Sequence, residues 1–145
     1  MSHDRTEVAR KFIEAIPFSQ ALGMTLDELG DGVAEISMPY DARFVGDPQT
    51  GVIHGGAVSA LMDTCSGAAV MSHPSNPIAT ATIDLRIDYM RSATPGQRIV
   101  ARAECYHVTR SVAFIRVTAR DDEGEIPVAS ATGAFTLERA QEKTA

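Results

Sequence analysis

Residues 56–72 of this 145-residue chain read GAVSALMDTCSGAAVMS. The run is too long for a strand and contains no proline, so its form is a helix. It is apolar on nearly every face, and a helix of that kind in a water-soluble protein must be covered all round. Its Ala, Gly and Ser residues let the covering layer approach closely, which favours a sheet. One residue breaks the pattern. Asp63 puts a carboxylate where burying a charge is costly unless it is paired or hydrogen-bonded. Either Ser59, Thr64 or Ser66 satisfies it locally, or it is held there for chemistry.

The flanking segments supply the sheet. Val8, Ala9, Phe12, Ile13 and Ile16 recur at helical spacing. They predict a helix over 6–16, within an N-terminal segment 1–17 that Pro17 closes. FSQALG then reads as a turn ending at Gly23. MTLDEL and GVAEISMPY predict two strands joined at Gly30-Asp31-Gly32, and Pro39 marks a bend or an edge. Residues 41–53 form a loop. Beyond the long helix the period becomes two. In TIDLRIDYMR, the residues Ile83, Leu85, Ile87 and Tyr89 share one face, while Thr82, Asp84, Arg86 and Asp88 share the other. Residues 98–108, 111–121 and 125–138 predict three more strands. The short links TRS and DDEGE make them antiparallel. The plan is α+β: one long helix lying against a curved antiparallel sheet. At this length the expectation is a single domain, 1–145, with a frayed tail at 139–145.

Composition removes several classes of function. Apolar residues are 44% and charged residues 22%, ordinary values for a soluble globular chain. No run of 18 apolar residues crosses a membrane, and MSHDRTEVARKF lacks a signal-like apolar stretch, so the expected location is the cytoplasm. A net charge of −6 argues against nucleic-acid binding. Seven of the arginines nevertheless fall between Arg86 and Arg120, and guanidinium groups suit a small polyphosphate. Cys65 and Cys105 sit in apolar contexts as reduced core residues. His3, His54, His73 and His107 lack metal-ligand spacing, so no metal is expected.

The start of the helix carries the other half of the chemistry. Gly55 and Gly56 lie where backbone N–H groups have no internal partner and the helix dipole is positive. Glycine there lets another molecule reach the backbone, and such a site favours an anion or an oxygen becoming one. His54 either contacts that ligand or holds the loop. Asp63 shares a helix face with Gly56 but stands about 10 Å along the axis, too far for both to act on one carbonyl. Two copies packed antiparallel about a two-fold axis remove the difficulty, because the glycines of one chain then meet Asp63 of the other. The expectation is a homodimer with two composite sites that transfer an acyl group to water. No GxSxG elbow is present for a serine nucleophile.

The residues GVIHGGAVSALMDTCSGAA, then ATIDLRIDYMR, PG, DDEGE and VASATGAF, resemble the PaaI-type acyl-CoA thioesterases of the hotdog-fold superfamily over roughly residues 20–137. That resemblance implies a central helix wrapped by an antiparallel sheet, in dimers that often pair into tetramers. It also implies hydrolysis of acyl-CoA to a carboxylic acid and CoA with no separate cofactor. Asp63 matches the catalytic acid, activating water or attacking directly. Gly55 matches the amide that polarises the thioester carbonyl, with Gly56 adjoining and His54 beside it. Thr82 matches a Ser/Thr position that orients the water or the acid. Asp47 stands where many relatives carry Asn and, unlike an amide, cannot donate when ionised, so Gln49 is an alternative donor. Arg86, Arg91 and Arg110 are the candidate partners of the CoA phosphates, and Leu61, Met62 and Phe18 the candidate acyl pocket. Two other readings stay open: a non-catalytic acyl-CoA binding module, and a hotdog hydratase or dehydratase.

Overall fold

A computed structural model describes residues 3–140. Helix α1 (His3–Ala15) is followed at once by α2 (Pro17–Leu22), so FSQALG is a helix and not a turn. Pro17 both ends α1 and opens α2, where its missing N–H has no intrahelical bond to make. Gly23, at φ 69°, closes α2 by donating its N–H to the Gln20 carbonyl.

Strands β1 (Thr25–Gly30) and β2 (Val33–Met38) form a hairpin. Its two turn residues, Asp31 and Gly32, both have positive φ. The loop that follows is not structureless. It contains a 3-10 turn (Ala42–Phe44) and a small hairpin of β3 (Val45–Asp47) and β4 (Val52–Ile53). The long helix α3 spans Gly55–Met71. After it come β5 (Pro77–Ala79), β6 (Thr82–Tyr89), β7 (Ile99–Val108), β8 (Val112–Arg120), β9 (Ala129–Thr136) and β10 (Glu138–Arg139). The main sheet is antiparallel throughout, in the order β1-β2-β7-β8-β9-β6. Strand β6 therefore lies at an edge beside β9, and residues 90–98 carry the chain across to β7. Arg139 belongs to a strand paired with β5 and not to a frayed end. Residues 141–145 of the expected tail lie outside the described residues.

Helix α3 crosses β2, β7 and β8. The sheet meets it with Ala34, Ala101, Ala103, Ala113 and Ala119, all fully buried. Such small side chains let helix and sheet approach closely. Leu61 and Met62 fill the contact, each worth about 2–3 kcal/mol of burial. The Cys65 thiol donates to the carbonyls of Ala34 and Ala101, bridging β2 and β7, and burial pushes its pKa up to about 12. It is an inert core group. Both cysteines are free and buried.

The sheet covers α3 on one side only. Gly56 is exposed, and Ser59, Asp63, Gly67 and Met71 are half-buried, forming a stripe at helical spacing. Helix α1 lies along part of that side. It is tied to the outer edge of β1 by the Glu14 carboxylate, which accepts from the Leu26 N–H at 3.3 Å.

One register detail matters for function. Thr82 pairs with Phe135 and Asp84 with Ala134, so Ile83 is an extra, bulged residue. The bulge reverses the alternation at the start of β6. Thr82 thereby joins Leu85 and Ile87 on the side facing α3, the opposite of what unbroken period-two spacing predicts. Ile83 is left 55% exposed. Gly133 permits the crossing, since a Cβ there would stand 2.4 Å from the Asp84 carbonyl oxygen. The Asp84 carboxylate secures the bulge by accepting from the Ala134 N–H at 2.9 Å.

Candidate active site

The first turn of α3 is held from both sides. His54 is the N-cap, and its Nδ1 accepts from the Gly56 N–H at 2.8 Å. The hydrogen bond assigns the neutral tautomer with the proton on Nε2. The His54 N–H donates to Phe44, and Gly46 lies so close that a Cβ would stand 2.9 Å from the His54 Cα. Loop-holding is thus the role the structure gives to Nδ1. The amide of Gly56 is occupied by this cap, whereas that of Gly55 has no partner among the described residues.

The Gly55 carbonyl accepts from two hydroxyls. Tyr89 donates at 2.9 Å and Ser59 at 3.0 Å, and the two hydroxyls also contact each other. Tyr89 ends β6, so the far end of that strand is fastened to the start of α3. The sequence reading counts Tyr89 among the apolar positions and passes over Ser59 in this role. The only available signal is a phenol where Phe or Leu would pack as well.

Asp63 lies two turns further along α3. Thr82 donates to its Oδ1 at 2.7 Å, and Oδ2 has no partner among the described residues. Ser59 and Ser66 do not satisfy this carboxylate, because they bond the carbonyls of Gly55 and Met62 in their own helix. Asp63 and Thr82 open onto a cavity of about 710 Å³. Its walls are otherwise mostly apolar and come from α1, α3 and the segment before β6. Leu61 and Met62 do not line it, since they face the sheet, and Phe18 is 61% exposed elsewhere.

The remaining candidates are dispersed. Both carboxylate oxygens of Asp47 are engaged in its own turn, accepting from the Gln49 N–H at 3.0 Å and the Thr50 hydroxyl at 2.8 Å. These bonds, the Thr50 hydroxyl foremost, lower its pKa. Asp47 and Gln49 are both exposed on this loop. Arg91 spends all its donors inside the chain, on Asp121 and on the carbonyls of Ile126, Ser92 and Glu123. It braces the loop after β8 and has no N–H left for a phosphate. Arg86 is exposed on the face of β6 turned from α3, beside Asp88. The Arg110 carbonyl accepts from Arg139, so Arg110 sits with β10. Among the described residues no three His, Cys, Asp or Glu side chains converge to hold a metal ion. No helix among them is long and apolar enough to cross a membrane.

Within one chain the Gly55 amide and the Asp63 carboxylate stand about 12 Å apart along the axis. The sequence profile of the thioesterase superfamily matches residues 50–128, which contain both. The chain belongs to this superfamily. The medium/long-chain acyl-CoA thioesterase YigI of Escherichia coli is 28% identical over 143 residues, covering 90% of this chain and 91% of YigI. The acyl-coenzyme A thioesterase PaaI of the same organism is 28% identical over 107 residues, covering 74% of this chain and 73% of PaaI. The solved E. coli PaaI structure superimposes with a TM-score of 0.82 over 94% of both chains at 22% identity, which shows the hotdog fold. A crystal structure from Pseudomonas aeruginosa is 38% identical, with a TM-score of 0.78, covering 90% of this chain and 96% of that one. The expected α+β hotdog architecture and the thioesterase family are therefore those of this protein.

Proposed function

We propose that this protein hydrolyses acyl-CoA thioesters to a carboxylic acid and free CoA, at two equivalent sites shared across a homodimer. The observation that carries the reading is the disposition of the half-sites on β6. Asp63 with Thr82 lies at the start of this strand, and Gly55 with Tyr89 at its end. The ends of β6 are about 23 Å apart. β6 is also an edge strand, with Ile83 and Tyr89 more than half exposed along it. An unpaired edge of this kind is a template for a second strand. If β6 pairs antiparallel with its own copy about its middle, the start of each strand meets the end of the other. The carboxylate of one chain then faces the amide of its partner, and the first turns of α3, left bare by the sheet, are covered.

At such a site the thioester oxygen accepts from the Gly55 N–H. The Asp63 Oδ2 takes a proton from a water as that water attacks the carbonyl carbon, with Thr82 fixing the carboxylate through Oδ1. The tetrahedral oxyanion collapses, the C–S bond breaks, and the proton passes from Asp63 to the departing CoA sulfur. His54 and Tyr89 keep the first turn of α3 in place. The free Oδ2 is the oxygen that would take the proton from water or, in the alternative, attack the carbonyl carbon directly. The exposed Arg86 and Arg110 remain candidates for the CoA phosphates. That relatives of this chain are named acyl-CoA thioesterases supports the same chemistry.

Release of CoA thiol from a panel of acyl-CoAs tests the reading. Asp63→Asn should lower kcat by about 100- to 10,000-fold, the usual worth of a general base. Tight acyl-CoA binding without turnover in the wild-type protein would favour a binding module instead.

A further inference from the structure

Gly67 sits in the middle of α3, where glycine costs about 1 kcal/mol relative to alanine. The fold does not ask for it. Its φ is not positive, and a Cβ built on it would meet only the Phe135 ring, at an ordinary 3.8 Å. Close helix–sheet contact therefore does not account for the residue. Gly67 does line the cavity that begins at Asp63, and Met71 lines it one turn further on. Residues 63, 67 and 71 form one line along the helix, so the cavity is elongated along α3.

We propose that this cavity is a channel for the tail of an unbranched aliphatic acyl group, and that Gly67 and Met71 set its depth. The proposal rests on the thioesterase reading and adds the acyl class. The polar residues among its walls are Asp63, Thr64, Thr80 and Thr82. The Thr80 hydroxyl is spent on the Thr136 carbonyl at 2.6 Å, and the other three lie at the Asp63 end. Beyond that end the walls carry no charge and no hydroxyl proton left to donate, which suits an acyl chain without hydroxyl or charge. On the opposite side α1 contributes Phe12, which is 70% exposed, and the β5 segment contributes Ile78, 56% exposed. Both are large apolar groups that a bound tail would cover.

Length follows from geometry. Asp63 to Met71 is eight residues, or about 12 Å. A staggered alkyl chain built of bonds near 1.5 Å advances about 1.25 Å per carbon, so roughly ten carbons fit. Gly67 lies about 6 Å from Asp63, close to the fifth carbon. A side chain added at Gly67 therefore blocks the far half of the channel.

The test is kcat/KM for straight-chain acyl-CoAs from butyryl to palmitoyl, measured on the wild type, Gly67→Leu and Gly67→Ala. Each buried methylene is worth up to roughly fourfold. The wild-type value should rise at least about a hundredfold from butyryl to decanoyl and then level off. In Gly67→Leu the decanoyl-to-butyryl ratio should fall by about thirtyfold or more. Gly67→Ala, which favours the helix and fits beside Phe135, should lower that ratio by about fourfold and serves if the leucine variant does not fold. Calorimetric binding of decanoate provides a second readout that needs no turnover. Wild-type protein that hydrolyses butyryl- and decanoyl-CoA equally well, or a ratio unchanged in both folded variants, overturns the channel and leaves the thioesterase reading standing. Absence of turnover on every acyl-CoA, with decanoate binding that Gly67→Leu abolishes, upholds the channel while the hydrolytic reading falls.

Discussion

Replacing Gly133 by alanine tests how the fold delivers Thr82 to Asp63. The new Cβ would stand 2.4 Å from the Asp84 carbonyl oxygen and 3.0 Å from a Leu85 methyl. Ordinary carbon–oxygen contact begins about 0.8 Å further out, and the obstacle is strand backbone, which cannot swing away as a side-chain tip does. β6 must shift at its bulge or part from β9. Overpacking of this kind costs about 1–3 kcal/mol, equivalent to a fall in Tm of about 3–10 °C. The shift falls on the residues that turn Thr82 toward α3, and a displacement near 1 Å at a reacting centre costs about a hundredfold in rate. Thermal unfolding and acyl-CoA hydrolysis should therefore both suffer, with kcat falling more than KM rises. Gly96→Ala is a poor control, because Gly96 has φ of 86°. Thr132→Ser, at the exposed neighbour that takes no part in the bulge, serves better. A Gly133→Ala protein with the Tm and kcat of the wild type would refute the claim that this close crossing sets the bulge.

Three further outcomes are expected. Thr82→Val removes the hydroxyl on Asp63, a bond to a charged group worth about 1.5–3 kcal/mol, so kcat should drop about tenfold or more, while Thr82→Ser should stay near wild type. His54→Ala should lower both Tm and activity by removing the cap, about 1 kcal/mol, and His54→Asn, itself a good N-cap, should recover the Tm. Asp121 has a fully buried side chain whose pKa is lowered, first by the hydrogen bonds from Arg91. A depressed carboxylate contributes stability above its unfolded value of about 4 and loses it as pH falls through the folded value. Asp121→Asn should therefore lower Tm by about 5–8 °C at pH 7, and the gap to wild type should narrow steadily in titrations below about pH 4.

The long helix, the hairpin at Asp31-Gly32 and the antiparallel strands were legible because each is written in local periodicity and turn chemistry. The helix α2 was not, since Pro17 reads equally well as an end or a beginning. Nor was the bulge at Ile83: an extra residue is defined by the strand opposite, and Gly133, which permits it, lies 50 residues away. That bulge explains why a strict alternation puts Thr82 on the wrong face, while family resemblance singles it out as a site residue. The segment from His54 to Asp63 could be read because its chemistry is contiguous. Tyr89 and Ser59 acquire their roles only when β6 docks on the start of α3. Leu61 and Met62, with Phe18 of the N-terminal segment, read as acyl-pocket candidates because they are apolar residues of the helix and its neighbour. Leu61 and Met62 face the sheet, and the cavity forms over the side of α3 that carries Asp63, Gly67 and Met71.

The account turns on Gly55 of one chain working with Asp63 of another, and mixing two inactive variants measures this directly. Asp63→Asn removes the proposed base. Gly55→Pro removes the amide hydrogen at the first helical position, where proline is tolerated, and His54 already has the extended backbone (φ −57°, ψ 134°) that a following proline requires. Random exchange of equal amounts makes half of the dimers hybrids, each with one complete site. About a quarter of wild-type activity should return. Efficient subunit exchange with no recovered activity, or a wild-type protein that sediments as a monomer while fully active, would contradict the shared site.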